Sequence, residues 1–91
     1  MNDMLILLVD GNSSSARFVS QGLSETGLQV DIAGDGQTAN QLFDAGNFDL
    51  VILDLSLPRL DGFELCRHFR RRCSEVPILY RIRAVGPAPR T

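Results

Sequence analysis

The sequence predicts an α/β domain with a doubly wound parallel sheet in the strand order 2-1-3-4. Four short apolar segments alternate with three amphipathic helical patterns, so each helix connects two parallel strands. Residues 4–9 and 50–53 are continuous apolar runs, which are typical of central strands covered on both faces. Residues 28–33 alternate apolar and polar, which indicates an edge strand, and residues 76–80 form the fourth strand. This order places the switch point of the sheet between the first and third strands.

The three helices are predicted from apolar stripes and from residues that can begin or end them. Asn12, or one of the serines after it, can cap the first helix, and Asp35 can cap the second. Gly27 and Gly46 are the corresponding stop signals, and the third helix covers residues 62–72. The predicted buried stripes are Ala16, Val19 and Leu23, then Ala39, Leu42 and Phe43, and finally Phe63, Cys66, Phe69 and Cys73.

The composition excludes several classes of function. The 91 residues carry a net charge of −2, which argues against a general nucleic-acid binder. The chain contains no lysine, and this excludes a Walker-type phosphate loop and a Schiff-base mechanism. The longest apolar run, residues 4–9, is too short to span a membrane and lacks the features of a secretory signal. We therefore expect one soluble cytoplasmic domain without direct membrane or nucleic-acid contact.

Cys66 and Cys73 are predicted to be free thiols. They lie seven positions apart on the third helix, roughly 10 Å at about 1.5 Å per residue, which is too far for a disulfide. We expect both to pack as small apolar side chains in a reducing cytoplasm. His68, the only histidine, has two interpretations, a phosphotransfer histidine or part of a solvated helix face, and the second is favoured.

Two aspartates end the strands that flank the switch point. Asp10 follows the first strand and Asp54 ends the third. Since neighbouring strands lie about 4.8 Å apart, the two carboxylates are expected to face one crevice. Paired carboxylates suit Mg²⁺, and an aspartate beside a metal can attack a phosphoryl group to form an aspartyl phosphate. The alternative is that both aspartates are loop caps, and their joint position favours a site.

The segment that carries Asp54 resembles a known family. Residues 49–64 read Asp-Leu-Val-Ile-Leu-Asp-Leu-Ser-Leu-Pro-Arg-Leu-Asp-Gly-Phe-Glu. Together with Leu-Leu-Val-Asp10, this segment closely resembles the response-regulator receiver domain of two-component signalling, from Met4 to about Tyr80. The resemblance implies a flavodoxin-like fold and a signalling module rather than an enzyme. Its partner would be a sensor histidine kinase or a phosphotransfer protein.

The resemblance also implies roles for particular residues. Asp54 would be the phosphoacceptor. The Mg²⁺ pocket would be formed by Asp10, Asp54 and the backbone carbonyl of Ser56, beside a loop shaped by Pro58, Asp61 and Gly62.

Four departures from the family pattern lead to an alternative function. Gly11 stands where a second acid is usual, no hydroxyl residue stands near Ile82, and the pocket lysine is absent. The usual fifth strand and last helices have no counterpart. We therefore expect an incomplete, truncated or frame-shifted receiver over residues 1–80 and an irregular basic tail over 81–91. The alternative is a degenerate receiver that is not phosphorylated and acts in protein interaction or dimerisation through its exposed edge strand.

Overall fold

The computed structural model describes residues 4–55, 62–73 and 75–81, which form four strands and three helices in strict alternation. All strand pairs are parallel and the order is β2-β1-β3-β4, which confirms the predicted order. The strands are β1 (Leu5–Val9), β2 (Gln29–Ala33), β3 (Leu50–Asp54) and β4 (Ile78–Arg81), and the helices are α1 (Ser13–Ser24), α2 (Gly36–Ala45) and α3 (Gly62–Arg72).

The central strands β1 and β3 are buried on both faces, as their continuous apolar runs predict. Residues two apart along a strand face the same side of the sheet. Leu7 and Val9 of β1 pack in one cluster with residues of α2 and α3. Ile6 and Leu8 pack in a second cluster with Ala16 of α1. The described helices therefore cover opposite faces, with α1 on one side and α2 and α3 on the other.

The helix caps follow the sequence signals. The Asn12 side chain accepts a hydrogen bond of 2.9 Å from the backbone N–H of Ser15 and caps α1. Asp35 caps α2 by accepting 2.7 Å from the N–H of Thr38. This bond to Thr38 is the main reason that the pKa of Asp35 is lowered. Gly27, with a φ of 91°, follows the end of α1, so the left-handed region is used where glycine tolerates it.

The predicted buried stripe of α3 is partly wrong. Phe69 is fully buried, and Leu65, one helical turn before it, is buried as well. Phe63 is 72% exposed, because at 3.6 residues per turn its side chain points about 120° away from that of Phe69. Cys66 is half-buried and Cys73, just beyond the helix, is exposed. Both are free thiols as predicted, but Cys73 does not pack in the core.

The strand β4 ends one residue later than predicted. Arg81 pairs with Asp54 in the sheet register, and the Arg81 carbonyl accepts a hydrogen bond of 2.9 Å from the N–H of Leu55. Residue 81, predicted to begin an irregular tail, is therefore a strand residue, and the rest of the predicted tail, positions 82–91 including Ile82, lies outside the described residues. Tyr80 ties β4 to α3, because its Oη lies 3.2 Å from Cys66 Sγ. This hydrogen bond raises the pKa of Tyr80.

Within the described part of the chain, no helix is long and apolar enough to cross a membrane.

The two phenylalanines of α3 give a test of this packing. Phe69→Ala should lower the free energy of unfolding by about 3–5 kcal/mol, because it removes a buried ring whose centroid lies 4.4 Å from that of the tilted Phe43 ring. Phe63→Ala, the same change on the exposed side of the same helix, should cost less than about 1 kcal/mol. Urea unfolding followed by circular dichroism measures both. Equal losses for the two variants would refute the orientation of α3.

Candidate functional site

Three charged residues end neighbouring strands at the carboxyl edge of the sheet. Val9 pairs with Leu53, so Asp10 follows β1 directly beside Asp54, the last residue of β3. Asp54 in turn pairs with Arg81, the last residue of β4. We call Asp10, Asp54 and Arg81 the edge row. It lies at the switch point, the position where ligands bind in open α/β sheets.

Both aspartates of the edge row are buried. Asp10 is 1% exposed and Asp54 is 0% exposed. Asp10 stands two positions after Leu8, and Asp54 stands two positions after Ile52; both of these apolar side chains pack on the α1 side of the sheet. By strand alternation the two carboxylates therefore face the same side. Buried carboxylates are costly unless hydrogen bonds or opposite charges compensate them, so this pair requires a cation or several donors nearby.

The structure supplies both kinds of partner to Asp10. Its Oδ1 accepts 2.9 Å from the backbone N–H of Asn12. Its Oδ2 accepts 2.9 Å from Nη1 of Arg81. The same Nη1 donates 2.8 Å to Ser15 Oγ on α1. The Arg81 guanidinium thus connects β4, Asp10 and the first turn of α1 at the carboxyl edge.

Sequence reasoning missed Arg81 because it assigned the residue to an irregular tail. The absence of lysine suggested a site without a positive side chain, whereas the structure places an arginine there. The strand register could have revealed it, because Arg81 pairs with Asp54 across β3 and β4. Extending the predicted fourth strand by one residue would have placed Arg81 beside the site. Element boundaries are what sequence patterns predict least precisely.

The remaining predicted site residues are placed only in part. Ser56, Pro58 and Asp61 lie outside the described residues, so the loop that they would shape is not described. Gly62 is described: it begins α3 and is buried. A Cβ on Gly62 would lie 2.5 Å from Leu55 Cδ2, so its bare backbone lets α3 begin close to the residue that follows Asp54.

The chemistry of the edge row suits a hard cation. Carboxylate oxygens are preferred ligands of Mg²⁺, which usually keeps several waters and takes few protein ligands. Among residues 4–55, 62–73 and 75–81, no group of three or more His, Cys, Asp or Glu side chains is placed to hold a metal ion. Two aspartates are therefore the acidic donors that the described residues offer, and Gly11 beside Asp10 adds no third carboxylate.

His68 lies elsewhere, between two helices. Its Nε2 is 2.9 Å from Oδ1 of Asp44 on α2, and Arg72 Nε is 3.2 Å from the same oxygen. The ring is half-buried, so His68 lies on a partly solvated helix face rather than a fully exposed one. The contact joins α2 to α3, and His68 is not part of the edge row.

Comparison with known proteins identifies the family. The family model described as response regulator receiver domain matches residues 6–81. The chain belongs to this family. It is 38% identical over 74 residues to the transcriptional regulatory protein TcrA of Mycobacterium tuberculosis, a match that covers 81% of this chain and 29% of TcrA. The receiver chain thus spans less than a third of that relative's length.

Solved structures agree with this assignment. The chemotaxis protein CheY4 of Vibrio cholerae matches with a TM-score of 0.85 and 30% identity, over 94% of this chain and 73% of CheY4. The response regulator TrrA of Thermotoga maritima, solved in complex with Mg(2+)-BeF, matches with a TM-score of 0.79 and 25% identity, over 91% of this chain and 89% of TrrA. TrrA has also been solved in complex with the histidine kinase ThkA. The predicted family and the flavodoxin-like fold are therefore confirmed.

Two glycines test how tightly α3 begins beside the site. Gly62→Ala should lower the free energy of unfolding by about 1 kcal/mol, because the added Cβ must displace the Leu55 side chain. Gly22→Ala, inside α1 with no atom within 4 Å of its added Cβ, should raise that free energy by about 0.5–1 kcal/mol. Chemical denaturation measures both changes. A stabilised Gly62→Ala variant would contradict the close approach.

Proposed function

We propose that the chain is the phosphoaccepting receiver of a two-component phosphorelay and that Asp54 takes the phosphoryl group. The observation that carries this proposal is the position of Asp54: a buried carboxylate at the end of a central strand, beside a second carboxylate at the switch point. A carboxylate oxygen of Asp54 attacks the phosphorus of a phosphohistidine. The P–N bond breaks, the imidazole nitrogen leaves with the electron pair, and an acyl phosphate forms.

The proposed metal ligands are Asp10, Asp54 and the backbone carbonyl of Ser56. Mg²⁺, when bound, supplies positive charge that offsets the charge of the transferring phosphoryl group. Asp10 and Asp54 provide the oxygen ligands in one buried crevice. Pro58, Asp61 and Gly62 shape the loop beside them. The complex of TrrA with Mg(2+)-BeF supports this proposal, while Gly11 weakens the site because it adds no carboxylate.

The proposed donor is a sensor histidine kinase or a phosphotransfer protein. The complex of TrrA with the histidine kinase ThkA supports this choice. The module receives a signal and turns over no substrate of its own. We place it in the cytoplasm without direct membrane or nucleic-acid contact, in keeping with its net charge of −2. Residues 1–80 form the proposed receiver unit, and residues 81–91 form the proposed basic tail. Arg81 differs from the rest of that tail because it belongs to β4.

Phosphorylation can be tested with a small donor. The wild-type chain, incubated with acetyl phosphate and Mg²⁺, should gain the mass of one phosphoryl group, and Asp54→Asn should gain none. Asp49→Asn serves as the control, since Asp49 is an exposed aspartate that begins the same segment and should not affect labelling. Intact mass spectrometry measures the product, and chelation of Mg²⁺ should suppress it. Equal labelling of Asp54→Asn and wild type, or no labelling of either, would refute the proposal.

We further propose that a second copy of the chain pairs with the outer edge of β4. In the described residues no strand pairs with that edge, and Leu79 on it is 56% exposed. An uncovered strand edge favours pairing with another chain. The alternative function, a degenerate receiver that is not phosphorylated and acts in protein interaction, would use the same strand edge.

One charged substitution on β4 tests dimerisation without changing the proposed phosphorylation site. Leu79→Lys should shift the protein toward monomer in sedimentation velocity, because a charged side chain on an edge strand opposes pairing. Ile32→Lys places the same charge on β2, the opposite edge of the sheet, and should leave the dimer fraction unchanged. A monomeric wild type across the concentration series would contradict the pairing.

A further inference from the structure

We propose that Arg81 is a built-in cation of the site, and that Mg²⁺ binds at Asp10 only by displacing its guanidinium. This inference deepens the proposed function, on which it rests for its biological meaning, by assigning a residue that controls metal loading. It predicts a receiver whose metal affinity is lowered by its own fourth strand.

Both oxygens of the Asp10 carboxylate already accept hydrogen bonds. One carboxylate oxygen accepts the backbone N–H of Asn12 and the other accepts Nη1 of Arg81, both at 2.9 Å. The carboxylate is fully buried, so it has little room for further partners. Mg²⁺ needs an oxygen at about 2.0–2.1 Å in near-octahedral geometry. The guanidinium and the metal ion therefore compete for the same oxygen.

The backbone and a second side-chain hydrogen bond hold Arg81 in place. Its carbonyl accepts the N–H of Leu55, which extends the β3–β4 ladder beyond Asp54. Its Nη1 also donates 2.8 Å to Ser15 Oγ. The side chain is only 34% exposed. This is unlike a surface ion pair, in which two long side chains must be ordered against solvent.

The charges at the carboxyl edge also favour this inference, because the edge row combines two carboxylates with one guanidinium. Because Gly11 adds no further carboxylate, the single cation offsets one of two acidic charges. A divalent cation that approaches the edge row therefore meets a less negative potential than two carboxylates alone would create, and it is repelled by the Arg81 guanidinium. Removing the guanidinium should restore the full negative charge and end the competition for Oδ2 of Asp10.

The experiment is a Mg²⁺ titration of the full 91-residue chain by isothermal calorimetry. Arg81→Gln retains an amide donor but removes the charge, and should bind Mg²⁺ at least about tenfold more tightly than wild type, the order expected for loss of one nearby positive charge. Arg71→Gln, the same change on an exposed arginine of α3, should leave the affinity unchanged. Equal or weaker binding by Arg81→Gln, or no binding by either protein, would overturn the inference.

A second measurement uses the wild type and does not depend on a variant that folds. In an NMR titration, the Nε–Hε resonance of Arg81 should shift as Mg²⁺ displaces the guanidinium from Asp10. An unshifted resonance at saturating Mg²⁺ would overturn the inference.

Acetyl phosphate labelling of the same proteins separates the two proposals. Tighter Mg²⁺ binding by Arg81→Gln without labelling of any protein supports the role of Arg81 and refutes the phosphoacceptor. Labelling at Asp54 with an unchanged Mg²⁺ affinity refutes the role of Arg81 alone.

Discussion

The constraint on which the structure depends is the burial of two carboxylates side by side. Asp10 and Asp54 end the two central strands and are almost fully excluded from solvent. Two buried negative charges a strand apart repel each other and lose their hydration. The fold keeps them because the backbone N–H of Asn12 and the Arg81 guanidinium donate to Asp10. The chemistry proposed for the receiver uses the same condition, since a site that demands positive charge attracts both Mg²⁺ and an arginine.

The edge row also explains how β4 is joined to the rest of the domain. Among the described strands, β4 pairs only with β3, and Leu79 and Tyr80 are substantially exposed. The Arg81 side chain crosses past Asp54 to Asp10 and Ser15. A single side chain therefore links β4 to β1 and α1. On the proposed competition, metal binding at Asp10 would loosen this link.

Much of the fold could be predicted from the sequence because it is encoded locally. Continuous apolar runs marked the central strands, alternation marked β2, and Asn12 and Asp35 showed where helices begin. Asp10 and Asp54 were found because strand ends in this topology converge on one edge. Arg81 was missed since its partner is 71 positions away and no local pattern encodes that contact. Phe63 was misplaced because a spacing of three residues drifts around the helix, away from the buried side.

The most direct test of the account is a double-mutant cycle on Asp10 and Arg81. The free energies of unfolding of wild type, Asp10→Asn, Arg81→Gln and the double variant give the coupling between the two side chains. A buried, hydrogen-bonded pair predicts a coupling of about 1–3 kcal/mol. The exposed pair of Glu64 and Arg67 on α3 is the matched control and should give less than about 1 kcal/mol. Additivity within about 0.5 kcal/mol at Asp10 and Arg81 would contradict the account.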